Sequence, residues 1–193
     1  LDCHYSVTGS GPAIFLIHGI GAAEDAWRFI APKLSKNFTV ITYDLRGHGK
    51  SPVTNKNFRL DELVLDLERV REKTNFDKAH FVGHSLGGMI APYYAKNYPD
   101  RVLSVGMLST VADRSEEDSK KVWKVINEME EKGIDKTLEK LTTRWFTDEF
   151  IENNYELVAR RLKQVVDTDP EVFLNVFRIY AKTEMISWLK ELT

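Results

Sequence analysis

One serine, flanked by glycines between an apolar strand and a helical pattern, constrains this chain more than any other feature. Residues 81–88 read Phe-Val-Gly-His-Ser-Leu-Gly-Gly, and a helical pattern starts at Leu86. This pattern requires a sharp strand-to-helix turn that lifts the serine hydroxyl clear of the backbone. The free N–H groups of the following helix then face the hydroxyl. We therefore predict that Ser85 is a nucleophile on a strained turn. The alternative is a chance match in an ordinary loop.

A second apolar segment ends in a loop suited to the same site. Residues 13–17 form a continuous apolar run, as expected for a strand buried on both faces, and lead into His-Gly-Ile-Gly at 18–21. A backbone N–H of such a loop and the N–H of the residue after the nucleophile form an oxyanion hole. The predicted donors are Ile20 and Leu86.

Three motifs in this order resemble the α/β-hydrolase family. They are His-Gly-x-Gly at 18–21, Asp-x-Arg-Gly-His-Gly-x-Ser at 44–51 and Gly-His-Ser-x-Gly-Gly at 83–88. The resemblance runs from about Tyr5 to the C-terminus. It implies a mostly parallel sheet, a helical cap inserted after the strand that follows the nucleophile helix, and hydrolysis through an acyl-enzyme.

Strand and helix patterns alternate along the first half of the chain, which predicts an α/β class with a mostly parallel sheet. An alternating strand pattern at 2–8 comes first. Strands then follow at 13–17, 38–43, 79–83 and 102–108, with helices near 24–35, 60–74 and 86–97. After Ser115 only helical patterns appear. We divide the α/β-hydrolase fold, incomplete at both ends, into a core at 1–112, a helical cap at 113–183 and a helix returning to the core at 184–193.

The histidine that the resemblance implies is missing. Hydrolases of this fold carry their acid and their histidine after the serine, and the histidine is the general base. The five histidines all precede Ser85: His4, His18, His48, His80 and His84. His84 is expected to point away into the fold, and His18 to shape the oxyanion loop. We therefore expect a fragment of a hydrolase that is inactive alone, with apolar side chains of its last helix exposed.

A segment of the predicted cap suggests a substrate class. Residues 144–150, Arg-Trp-Phe-Thr-Asp-Glu-Phe, resemble the cap of 3-oxoadipate enol-lactonases, which implies a small lactone bearing a carboxylate. Such a substrate needs an apolar wall and a cation, either Arg144 or Arg160. The predicted substrate-binding residues are His18, Gly19, Trp123, Arg144, Trp145 and Phe146. An equally weighted alternative is that these aromatic residues only pack the cap and do not contact substrate.

Other activities stay open at this point. Carboxylesterase, carbon–carbon bond hydrolase and cofactor-free perhydrolase chemistry all fit a nucleophilic serine. Ser85 in place of aspartate argues against epoxide hydrolase and dehalogenase chemistry, which use a carboxylate nucleophile. An alternative of another class is a hydrolase-like protein that binds a small molecule without turning it over.

Composition excludes several partners. The chain has 27 basic and 29 acidic residues, a formal net charge of −2, which gives no electrostatic case for nucleic acid or an anionic membrane. No apolar run approaches the ~20 residues that span a bilayer. The single cysteine, Cys3, fits a reducing compartment, so a cytoplasmic location is expected. The expected partner is a small ester or lactone, with no cofactor and no metal.

Overall fold

A five-stranded sheet forms the centre of the structure. The computed structural model describes residues 1–192, apart from the side chain of Glu139. Strands β1 to β5 are, in chain order, Tyr5–Thr8, Ala13–Ile17, Thr39–Tyr43, Ala79–His84 and Val102–Leu108. Their spatial order is β1-β3-β2-β4-β5, and every neighbouring pair is parallel except β1 with β3. The predicted mostly parallel sheet is confirmed.

The helices follow the predicted pattern closely in the core. In chain order, α1 to α9 are Ala31–Leu34, Leu60–Thr74, Gly87–Asn97, Glu116–Lys132, Leu138–Trp145, Asp148–Asn153, Tyr155–Asp167, Pro170–Lys182 and Ile186–Leu189. Within the described residues, none of these helices has both the length and the apolar character that a bilayer span needs.

Two helical segments differ from the prediction. The helix expected near 24–35 is a 3-10 helix, Glu24–Trp27, followed by the short helix α1. Pro32 explains the break, because it has no N–H for the bond that a continuous helix would need there. Helix α6 was not predicted, although Thr147 caps it by accepting a hydrogen bond from the N–H of Phe150.

Burial of the central strands fixes the core. Every residue of β2 and β3 is buried; the continuous apolar run of β2 predicts this, and β3 also buries Thr39 and Thr42. Phe81 of β4 stacks on Phe15 of β2, with ring centroids 5.0 Å apart. The same apolar cluster includes Phe173 of α8, so the sheet and the later helices share one core. The boundaries at 1–112, 113–183 and 184–193 stay predictions, and residue 193 lies outside the described residues.

The end of the chain differs in part from the expectation. Helix α9 is only four residues long, and Met185 just before it is buried. Trp188 packs edge-on against Tyr93 of α3, with ring centroids 5.6 Å apart, so this aromatic residue is not left exposed as expected. Ile186 does remain exposed. Strand β5 is an edge strand of the sheet over residues 1–192.

Candidate active site

Ser85 lies on the turn between β4 and α3. Its φ is 55°, a left-handed backbone that a serine keeps only where its surroundings hold it there. The N–H of Ser85 donates to the carbonyl of Leu108 at 2.9 Å, and its carbonyl accepts from the N–H of Gly88 at 2.9 Å. The strained turn predicted from the sequence is therefore confirmed.

The two glycines beside the serine are required by close backbone packing. A Cβ on Gly83 would overlap the carbonyl of Gly87. A Cβ on Gly87 would overlap the carbonyl of Ile17, at the end of β2. The turn is thus pressed against the neighbouring strand, which brings the loop at 18–21 next to the serine.

The loop at 18–21 offers unengaged backbone donors beside the hydroxyl. A Cβ on Gly19 would lie 3.1 Å from the Cβ of Ser85. The N–H groups of Ile20 and Leu86 donate to no acceptor among residues 1–192. Leu86 directly precedes α3, where the helix dipole is positive. Free donors of this kind suit a developing oxyanion, and their role stays a prediction.

His18 supports the loop and has no ring nitrogen free for a substrate. Its Nε2 accepts a hydrogen bond from the N–H of Leu45 at 2.9 Å, so Nδ1 carries the proton and donates to the carbonyl of Gly19 at 2.8 Å. Burial lowers the pKa of His18 to about 4, which keeps the ring neutral. The prediction that it shapes the oxyanion loop fits these bonds, and the predicted contact of His18 with substrate stays a prediction.

We expect stability to fall as the pH drops from about 6.5 to about 4. Burial lowers the pKa of His48 as well, to about 3. In this range the two histidines bind protons in the unfolded chain but not in the folded one. Each histidine therefore lowers the unfolding free energy by up to about 1.4 kcal/mol for every unit by which the pH falls. Urea unfolding at several pH values measures the slope. His48→Gln keeps a donor for the carbonyl of Arg46 and should reduce the slope, whereas equal stability at neutral and mildly acidic pH would contradict the prediction.

No histidine of the described chain is bonded to the nucleophile. The hydroxyl of Ser85 makes no hydrogen bond with any group in residues 1–192, and His80 bonds instead to the hydroxyl of Ser104 at 2.8 Å. The prediction that His84 points into the fold is wrong. His84 is exposed and lines the cavity above Ser85, because the last residue of β4 faces the space between sheet and cap.

A cavity of about 780 Å³ opens above Ser85. The loop at 18–21 lies on its sheet side, and residues of α4, α5 and α7 lie on its other side. Trp145 and Phe146 line it, as predicted. Trp123 does not. This residue is partly buried and packs against the core from α4, and the ammonium of Lys182 lies 5.9 Å from its ring.

The charge of the cavity wall is positive. No acidic residue of the described chain lines the cavity. Four arginines line it, namely Arg28, Arg144, Arg160 and Arg161. Arg160 forms an ion pair with Asp25 at 2.5 Å. Among the described side chains, which leave out that of Glu139, Arg144 forms no ion pair or hydrogen bond. The structure therefore distinguishes the two candidate cations, and Arg144 is the one whose charge is uncompensated.

Arg161 is a residue of the site that the sequence analysis missed. Its guanidinium donates to the carbonyls of Gly21 and Ile20 at 2.5 and 2.6 Å and lies over the ring of Trp145 at 4.5 Å. It thereby ties α7 to the oxyanion loop. A signal was present, since position 161 lies between Val158 and Val165 on the apolar face of its helix, where an arginine requires buried acceptors.

Comparison with known proteins extends these observations. A family model described as the alpha/beta hydrolase fold matches residues 12–183. The 3-oxoadipate enol-lactonase 1 of Acinetobacter baylyi is 30% identical over 177 residues, which cover 91% of this chain and 65% of that protein. The fluoroacetate dehalogenase of a Burkholderia species is 36% identical over 110 residues, covering 54% of this chain and 36% of that protein.

A solved structure supports the same fold. The enol-lactonase of Burkholderia xenovorans LB400 superimposes with a TM-score of 0.86 at 24% identity, covering 95% of this chain and 71% of that one. The chain thus spans about two thirds of the length of these lactonases. With the serine turn, the parallel sheet and the family match in agreement, this chain belongs to the α/β-hydrolase fold family.

Proposed function

We propose that the protein containing this chain is a serine hydrolase of small esters or lactones that works through an acyl-enzyme. The observation that carries the proposal is the left-handed Ser85 turn beside the unengaged N–H groups of Ile20 and Leu86. The hydroxyl oxygen attacks the substrate carbonyl, whose oxygen gains negative charge and accepts hydrogen bonds from both N–H groups. Collapse of this intermediate breaks the bond to the leaving oxygen, which takes up the proton lost from Ser85, and leaves the acyl group on Ser85; an ester releases its alcohol, whereas a lactone opens and keeps the hydroxyl on the acyl chain. Water then attacks the acyl group, which frees the acid and restores the Ser85 hydroxyl.

The proton of the Ser85 hydroxyl needs an acceptor. Within residues 1–192 no base is bonded to this hydroxyl, and the ring nitrogens of His18 have other partners. In α/β-hydrolases the acid and the histidine follow the serine along the chain. We propose that a histidine from a longer protein, of the length of the lactonase relatives, supplies the base in the complete enzyme.

The charge of the cavity favours substrates that carry a carboxylate. Arg144 lines the cavity without a partner, and Trp145 and Phe146 beside it supply apolar wall. A guanidinium pairs well with a carboxylate, and the apolar wall suits the body of a small lactone. The relative named as a 3-oxoadipate enol-lactonase supports a substrate of this class. We propose a lactone bearing a carboxylate, of the 3-oxoadipate enol-lactone type.

We expect Arg144→Gln in the complete enzyme to raise KM for a carboxylate-bearing enol-lactone by about 10-fold or more. KM for p-nitrophenyl acetate, which has no carboxylate, should stay within about 2-fold. Steady-state kinetics with both substrates measure the difference. Lys136→Gln removes an exposed positive charge outside the cavity and is the matched control. An equal loss with both substrates would reject Arg144 as the carboxylate contact.

One observation favours a second candidate, a protein that binds a small molecule without hydrolysing it. The described chain has the cavity and the oxyanion donors but no base on Ser85. A complete protein that binds the enol-lactone in calorimetry but shows neither turnover nor acylation of Ser85 would favour this candidate.

A further inference from the structure

Outside the cavity, three side chains that could hold a metal meet beside β1 and β3. The Nδ1 of His4 lies 3.4 Å from a carboxylate oxygen of Glu24 and 3.5 Å from a carboxylate oxygen of Asp44. These three ligand atoms all lie within 4.8 Å of one another. They come from three separate segments, the residue before β1, the 3-10 helix and the end of β3.

The distances from the Nδ1 of His4 to the two carboxylate oxygens are longer than hydrogen bonds and match the spacing of ligands around one ion. Nitrogen–oxygen hydrogen bonds span roughly 2.7–3.2 Å, and the buried Nδ1 of His4 has no hydrogen-bond partner. Two ligands of a tetrahedral zinc ion, each about 2.0–2.2 Å from the metal, lie about 3.3–3.5 Å apart. Both measured separations agree with this geometry.

The charge of the cluster also lacks compensation. The side chain of Asp44 is only 2% exposed and that of Glu24 19% exposed. Within residues 1–192, no lysine or arginine forms an ion pair with either carboxylate. Both oxygens of Asp44 accept backbone N–H groups, from Glu24 at 2.7 Å and from Lys50 at 2.9 Å, but these neutral donors leave the net negative charge of the two carboxylates in place. A divalent cation with one imidazole ligand balances both.

Hydrogen bonds hold each ligand in place before any ion binds. The carbonyl of His4 accepts from the N–H of Asp44 at 3.0 Å. Asp44 accepts from the N–H of Glu24 at 2.7 Å, and the second carboxylate oxygen of Glu24 accepts from the hydroxyl of Thr42 at 3.1 Å. Partners of this kind orient metal ligands and strengthen binding.

From this arrangement we propose that His4, Glu24 and Asp44 form a structural site for a divalent cation of the zinc type. Imidazole and carboxylate ligands at these separations favour zinc over the larger, oxygen-seeking cations. The ion links β1, the 3-10 helix and the loop after β3, and thereby stabilises the segment that follows the oxyanion loop. The proposal differs from the expectation from the sequence that the chain binds no metal. The proposal does not depend on the hydrolase chemistry.

Titration of the 193-residue chain with zinc chloride in a calorimeter tests the proposal. We expect one equivalent to bind, and a 100-fold excess over Kd to raise Tm by roughly 5–10 °C. His4→Ala and Glu24→Gln should each weaken binding by at least about 100-fold. Cobalt chloride gives a second measurement, because four-coordinate cobalt absorbs visible light strongly. The absorption should appear in the wild type and be absent in His4→Ala and Glu24→Gln.

Two further variants identify the ligands. His80→Ala removes a histidine elsewhere on the sheet and should bind zinc like the wild type. Cys3→Ser should also bind, since Cys3 is not one of the three clustered residues. Circular dichroism establishes that each variant is folded. Absence of zinc binding by the folded wild type, undiminished binding in His4→Ala and Glu24→Gln, or loss confined to Cys3→Ser would each overturn the proposal.

Discussion

Replacing Ser85 with alanine is expected to lower kcat of the complete enzyme by about 10⁵–10⁶-fold. The substitution removes the only oxygen that the turn presents between the two unengaged N–H groups, while the fold loses a single hydroxyl that makes no hydrogen bond within residues 1–192. Hydrolysis of the enol-lactone measures the loss, and mass spectrometry of quenched reactions should show an acylated Ser85 peptide in the wild type alone.

Ser10→Ala is the matched control for this substitution. Ser10 is an exposed serine before β2, at the end of the strand opposite the loop at 18–21, so its removal should leave kcat unchanged. More than a few per cent of activity in Ser85→Ala would show that another group is the nucleophile. The 193-residue chain by itself should show no turnover above that of its Ser85→Ala variant, because no base is bonded to the serine.

We expect Gly83→Ala to destabilise the protein by more than about 4 kcal/mol, or to prevent folding. The added Cβ would overlap the carbonyl of Gly87, and backbone packed between two strands and a helix cannot move away as a flexible side chain could. Urea unfolding of the purified variant measures the change, and loss of soluble protein is the extreme form of the same result.

Gly133→Ala is the control for Gly83→Ala, because it strains the backbone without making the new Cβ overlap any atom. Gly133 has a φ of 88°, but a Cβ there would meet nothing within 4 Å. Its replacement should therefore cost only the conformational strain, about 1–3 kcal/mol. A loss in Gly83→Ala no greater than that in Gly133→Ala would show that the serine turn has room for a side chain, and the account of its packing would be wrong.

Local sequence signals determined the framework of this protein. A continuous apolar run predicted β2, because a strand covered on both faces has no polar side, whereas the strand predicted at 38–43 contains Thr39 and Thr42, which β3 also buries. Glycines on both sides of Ser85 predicted its turn, and the packing of Gly87 against the carbonyl of Ile17 gives one reason why a glycine is needed there.

The partners of individual polar side chains were decided only by the tertiary structure. Arg144 and Arg160 look alike in the sequence, yet Asp25, more than a hundred residues away, compensates only the second. His18 offers a base in the sequence, and the N–H of Leu45 occupies its free nitrogen in the fold.

The metal-site proposal depends on the fold in the same way. His4, Glu24 and Asp44 are separated by about twenty residues at each step, and no local spacing joins them. Strand pairing between β1 and β3 and the turn into the 3-10 helix bring them together. Backbone conformation follows from interactions between near neighbours, whereas the charge, pKa and ligand geometry of a site depend on groups that only chain folding places within a few ångströms.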